Sequence, residues 1–194
     1  MGNHFQVIAD VDASEPEAQD LAEVLVKWLV ADGVITSEAT DCVLGADHGY
    51  PPGPNFRTVV NEPSEGFLSL RTNGVEISAH GQVFHPGQGE LGAVDCPRCA
   101  QTVLLSDPAS GDVSDRWERF AEALNSWCAG GSDQVRCPHC DQLVGFNDWR
   151  WTGPRFAVGF LGLTFWNWPE LSDWFVEQVG RHLGHRVILT GGKL

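Results

Sequence analysis

Lysine is nearly missing from this chain of 194 residues: Lys27 and Lys193 are the only two, and Lys+Arg number 12 against 26 Asp+Glu, a formal net charge of −14. A field of that sign repels nucleic-acid phosphates and anionic membranes and attracts basic protein surfaces. The deficit is uneven. Residues 1–95 hold 15 acidic residues against 3 basic ones, a net of −12, whereas residues 96–194 hold 11 against 9, a net of −2. Long apolar runs are missing as well, so nothing in the chain reads as a membrane span. The opening MGNHFQVIADVDA lacks the basic stretch and apolar stretch of a secretory leader, and the expected location is the cytoplasm. Cysteines stay reduced there, and a paired Cys-x-x-Cys then reads as metal or redox chemistry rather than a disulfide frame. No Gly-x-x-x-x-Gly-Lys-Ser/Thr loop occurs, and the terminal GGKL has no helix after it, so nucleotide hydrolysis has no support. A Gly-x-Ser-x-Gly nucleophile elbow is also missing.

What is present suffices for one core and a small stapled module: 42% of the residues are hydrophobic, with eight tryptophans among them. Phe5–Ala13 alternates as a strand. A helix follows, with Ser14 and Glu17 in capping-box spacing, Ala18, Leu21, Ala22, Leu25, Trp28 and Leu29 on one face, and Gly33 at its end. Near the other terminus, Phe156–Phe165 reads as a buried strand. The second helix is expected to start at Asn167 with Glu170, to carry Leu171, Trp174, Phe175, Val179 and Leu183, and to end at Gly184 before a strand over His185–Thr190. Ser14-Glu15-Pro16-Glu17 overlays Asn167-Trp168-Pro169-Glu170, which suggests two similar strand–helix–strand halves. The expected fold class is therefore α+β, a ferredoxin-like sandwich. Between the halves, Phe67–His80 reads as a hairpin about Asn73-Gly74, because that pair supplies the positive φ angles of a type I′ turn. Gly45–Asn55 is too rich in glycine and proline to be anything but loop.

The strongest signal is a phrase written twice. CPRCAQTVLL begins at Cys96 and CPHCDQLVGF at Cys137, 41 positions later, with Gln101 matched by Gln142 and Val103 by Val144. Each Cys-x-x-Cys folds into a tight knuckle with its two sulfurs aimed at one point, and two knuckles complete a tetrahedral site of Cys96, Cys99, Cys137 and Cys140. Over about residues 94–148 the chain thus resembles the zinc-ribbon family, and the resemblance implies two knuckles that lead into short strands around a structural Zn²⁺. Iron is the other metal such thiolates accept. The 37 residues between Cys99 and Cys137 exceed the usual ribbon spacing, and Trp117, Phe120, Ala121, Leu124 and Trp127 put a helix there that Gly130-Gly131 can end. The expected organisation is a main domain of residues 1–93 and 149–194, with 94–148 as an insertion. A closed fourfold site is structural, since catalytic zinc keeps an open position. A thioredoxin-like role is disfavoured because neither motif lies between a strand and a helix of the required kind. Cys42 and Cys128 read as small core residues. His139 lies inside the second knuckle, and His80 and His85 flank a turn before the first; none is needed as a ligand.

Other chemistry finds less. Asp10 and Asp12 resemble the strand-end Asp-x-Asp of haloacid-dehalogenase-type phosphatases, which implies a nucleophile and an acid/base around Mg²⁺. That family also needs a later lysine and an acidic metal pair, and no Asp-Asp is present. Asp47-His48 is the one remaining adjacent acid/base pair. Trp149-Arg150-Trp151 has the composition of a binding hot spot, so these three are the candidate partner contacts. Arg98, Arg136, Arg150 and Arg155 around the cysteines are what a nucleic-acid reading would use. The expectation from charge and missing motifs is a non-catalytic protein that binds a basic protein partner, as a bacterial immunity protein or antitoxin does, with neither nucleic acid nor membrane as its partner. The alternatives are a metal-dependent hydrolase or phosphatase built on Asp10 and Asp12, and nucleic-acid binding through the zinc ribbon.

Overall fold

The computed structural model describes residues 2–88, 91–107, 109–153 and 155–194. In chain order the elements are β1 (His4–Asp10), α1 (Glu15–Ala31), short 3-10 turns at Phe56–Val59 and Gly66–Ser69, β2 (Val75–Ser78), β3 (Gln82–Phe84), β4 (Ala93–Asp95) and β5 (Thr102–Leu104). Then come α2 (Asp115–Cys128), β6 (Gln134–Arg136), β7 (Leu143–Gly145), a 3-10 turn at Phe146–Asp148, β8 (Arg150–Thr152), β9 (Ala157–Gly159), β10 (Leu161–Trp166), α3 (Asp173–Leu183) and β11 (Val187–Lys193). The fold is mixed α and β, with antiparallel sheets throughout.

The largest sheet has the order β11-β1-β10-β2. α1 leaves β1 and α3 leaves β10, and both helices cover one face. Leu25 and Leu29 from α1 and Phe175 and Val179 from α3 share a fully buried cluster with Ile8, Leu161 and Leu163 of the sheet. Removing a side chain such as Leu25 from water is worth about 2 kcal/mol, so this stripe is what holds the helices down. Trp28 joins the two helices, stacking on Phe175 and on His182 with ring centroids 6.0 and 3.8 Å apart. The opposite face carries Phe5, Val7, Ala9, Trp166 and Ile188, covered by Phe84, Ala157, Cys42 and Val43. Phe84 lies so close to Gly162 that a Cβ there would meet its ring at 2.2 Å, so the sheet needs a bare backbone at that point.

A second cluster gathers Val94, Val103, Leu105, Phe120, Val135, Val144, Phe146, Trp149 and Val158. Phe120 of α2 is its hub, packing on Trp149, Trp151 and Phe146 at 5.0, 6.0 and 6.1 Å. The helix expected between the knuckles is therefore present, with Ser114 as its N-cap accepting from Arg116 N–H. Packing carries this cluster beyond residue 148, because β8 pairs with β4 (Val94 opposite Trp151). The β3–β9 pair links it to the main sheet.

Several local expectations change. Asn73-Gly74 makes no hairpin: Asn73 donates its amide to the carbonyls of Phe67 and Leu68, and both backbone N–H groups donate to Cys42 O, at 3.0 and 2.8 Å. The pair docks a loop onto Cys42, and a Cβ on Gly74 would lie 2.2 Å from that thiol. Asn167 does not start a helix. It takes φ +58°, which asparagine tolerates, accepts from His4 N–H and donates to Asn3 and Thr72, while Ser172 caps α3 five residues later. Trp174 consequently sits on the outer side, 57% exposed. Phe156–Phe165 is two strands, since a bend at Phe160 sends Ala157–Gly159 to β3 and Leu161–Trp166 to β1 and β2. Both halves are buried, which is why they read as one run. Cys42 is buried as expected, but Cys128 is exposed.

Candidate metal centre

Each cysteine pair sits on the turn of a hairpin of three-residue strands, and the two hairpins share register and turn hydrogen bonds along the 41-residue offset. β4 and β5 align Ala93, Val94 and Asp95 with Leu104, Val103 and Thr102; β6 and β7 align Gln134, Val135 and Arg136 with Gly145, Val144 and Leu143. In the first turn Cys96 N–H donates to Gln101 O at 3.1 Å and Ala100 N–H to Cys96 O at 2.8 Å. In the second, Cys137 N–H donates to Gln142 O at 2.9 Å and Asp141 N–H to Cys137 O at 3.0 Å. Ala100 and Asp141 take left-handed φ angles of 56° and 60°, which lets each chain reverse tightly enough to aim both sulfurs inward. Matching valines, Val94 with Val103 and Val135 with Val144, seat both hairpins in the second core.

The four Sγ atoms lie within 4.8 Å of one another, with Cys96 to Cys140 at 3.9 Å and Cys99 to Cys137 at 3.8 Å. A disulfide would need about 2.05 Å. A tetrahedral ion with metal–sulfur bonds of about 2.3 Å spaces its sulfurs about 3.8 Å apart, so the donor set fits one metal ion. Backbone N–H groups of Arg98 and His139 point at Cys96 Sγ and Cys137 Sγ, each at 3.4 Å, and offset sulfur charge. Burial pushes the Cys96 thiol up, yet the N–H groups of Cys99 and Arg98 and its thiol neighbours outweigh this and bring it down to about 7. At Cys99 the Gln101 N–H favours the thiolate, but burial and the three neighbouring thiols prevail and push it up to about 12. Cys137 is also raised, by burial first. The Cys96 thiolate therefore forms readily while Cys99 and Cys137 resist, which is the electrostatic state that a dication relieves. His139 does not ligate: its Nε2 lies 3.2 Å from Thr102 O and ties the second knuckle to the first hairpin.

The other sequence candidates fall elsewhere. Trp149 is fully buried in the second core and Trp151 largely so, which leaves Arg150 as the exposed member of the three proposed partner contacts. Asp10 is fully buried with both oxygens engaged: Oδ1 accepts from Asp12 and Ala13 N–H at 3.0 and 2.9 Å, and Oδ2 meets His185 Nδ1 at 2.8 Å. Asp12 accepts from Arg186 N–H at 2.8 Å. Both carboxylates thus tie the β1–α1 turn to the start of β11, and neither Asp10 oxygen is left to attack a substrate. His185, missed by sequence reasoning, completes that tie and reaches Glu17 at 3.5 Å. Its hydrogen bond to Asp10 raises its pKa above the ordinary value, with burial opposing and the charges of Asp10, Glu17 and Asp12 assisting. Asp47 and His48 are exposed on a loop, as are His80 and His85. Among the arginines, Arg98, Arg136 and Arg150 are exposed, while Arg155 is half-buried. No helix among the described residues is long and apolar enough to cross a membrane.

No family model, curated protein or solved structure matches the chain.

Proposed function

We propose that the chain is a non-catalytic binding protein whose zinc-ribbon module is held by Zn²⁺ at Cys96, Cys99, Cys137 and Cys140, and that it acts by covering a basic surface of a partner protein, as a bacterial immunity protein or antitoxin does. The observation that carries this reading is how the charges pair. Lys27, Arg57 and Arg71, the three cations of residues 1–95, are each taken up by a carboxylate, Glu23, Glu65 and Asp41. Glu15, Asp20, Asp32, Glu38, Asp47 and Glu62 remain exposed with no ion-pair partner among the described residues. Uncompensated charge of one sign speeds encounter with a surface of the opposite sign and rejects like-charged partners. Four thiolates in a closed tetrahedron support zinc in a structural role, supplying folding energy and leaving no open position for a substrate. The strand order β11-β1-β10-β2, with a helix after β1 and after β10, supports a ferredoxin-like main layer carrying the ribbon between β2 and β10.

Affinity capture from the native host followed by mass spectrometry tests the reading. A stoichiometric basic protein is expected, and its association rate should fall steeply with added salt. An acidic partner, a salt-insensitive association or the lack of any stoichiometric partner would overturn it.

A further inference from the structure

In a chain with more than two carboxylates per Lys or Arg, cations are expected to find partners, and six of the twelve do: Lys27, Arg57, Arg71, Arg136, Arg181 and Arg186. Among the described residues, Arg98, Arg116, Arg119, Arg150 and Lys193 form no ion pair but are exposed, so water solvates them. Arg155 differs. It is half-buried, its Nε–H is out of solvent contact, and among the described residues it has neither an ion-pair partner nor an acceptor for that Nε–H. A charge removed from water is costly unless it is paired. Burial lowers the Arg155 pKa from the ordinary arginine value, and the positive charge of Arg186 lowers it further.

Arg155 lines a cavity of about 780 Å³, a volume suited to a small organic ligand. Among the described residues Lys193 and His4 line it too, against the single carboxylate Glu170, while the partly exposed Pro169 and Leu189 contribute apolar wall. In a protein of net charge −14, a cavity whose described lining sets Arg155 and Lys193 against one carboxylate is a local inversion of the field. His4 Nε2 is engaged by Trp168 O at 3.0 Å, which leaves Arg155 and Lys193 as the cations available to a ligand. The wall lies at the joint of the two cores: Thr190 of β11 bonds to the Arg155 carbonyl, and Phe156, the next residue, packs into the ribbon core.

We propose that this cavity binds a small organic carboxylate, with the anionic end on Arg155 and the apolar body against Pro169 and Leu189. The guanidinium fork suits a carboxylate, and the apolar wall excludes free inorganic anions as the preferred occupant. The test is calorimetric titration of the full-length, metal-loaded protein with 3-phenylpropionate and with 3-phenylpropan-1-ol, its uncharged match. The carboxylate is expected to bind saturably and the alcohol about tenfold or more weakly, the factor a charge-assisted hydrogen bond supplies. Arg155→Gln should bring the carboxylate down to the level of the alcohol, while Arg119→Gln, an exposed change on α2, leaves it unaltered. In the wild type, where folding is not in question, the Arg155 Nε–H resonance should move on titration. Absence of saturable carboxylate binding, equal binding of the alcohol, or an unmoved Nε–H resonance would overturn the proposal.

Discussion

Replacing His185 by glutamine removes the imidazole that faces Asp10 and leaves a fully buried carboxylate with two backbone N–H donors in place of three partners. Loss of a charge-assisted hydrogen bond at a buried carboxylate costs about 2–3 kcal/mol. At about 2–4 °C per kcal/mol for a chain of this length, the melting temperature should fall by about 4–12 °C. The sign of the pH dependence follows from the raised folded-state pKa of His185. The protonated imidazole is favoured in the fold, so its contribution is fully present below the unfolded value of about 6.5 and is lost as pH rises through the folded value. The gap between wild type and His185→Gln should therefore be widest near pH 6 and narrow toward pH 9. Thermal denaturation followed by tryptophan fluorescence, at half-unit steps from pH 5.5 to 9, reads it directly. A gap that is constant or grows with pH would refute the assignment of His185 as a cationic partner of Asp10.

Three further outcomes are expected. Because Cys99 and Cys137 are held protonated by burial and thiol neighbours, metal must displace protons, and affinity measured by competition with a chromophoric chelator should tighten from pH 6 to 8. Gly74→Ala, which brings a Cβ to 2.2 Å from Cys42 Sγ, should cost about 1–3 kcal/mol in urea denaturation, and Gly74→Ala combined with Cys42→Ala should recover part of that loss. Phe120→Ala removes the aromatic hub of the second core and should cost about 3–5 kcal/mol while main-sheet amides keep their hydrogen-exchange protection.

Features that are local in sequence were legible. The knuckles announce themselves because the same chemistry recurs at 41 residues, and the offset carries through to hairpin register and to the left-handed turn residues Ala100 and Asp141. α1 and α2 follow from apolar spacing, although the Ser14 hydroxyl turns to the Glu17 carboxylate and caps no backbone N–H. Long-range features were not legible. Asn73-Gly74 has turn chemistry, but the acceptor that captures it, Cys42 O, lies about thirty residues earlier in the chain. Asn167 has cap chemistry, yet its side chain is committed to Asn3 and Thr72. Trp149-Arg150-Trp151 has hot-spot composition, but β4–β8 pairing and Phe120 bury its first indole. Asp10 and Asp12 imitate a catalytic pair because a strand-end carboxylate looks the same whether it faces substrate or, as here, His185 and Arg186.

Elemental analysis of the purified wild type beside Cys137→Ser tests whether the doubled Cys-Pro-x-Cys phrase grips one structural zinc ion. One zinc per chain is expected in the wild type and little in the variant. Unchanged metal content in Cys137→Ser, or iron in the wild type, would contradict it.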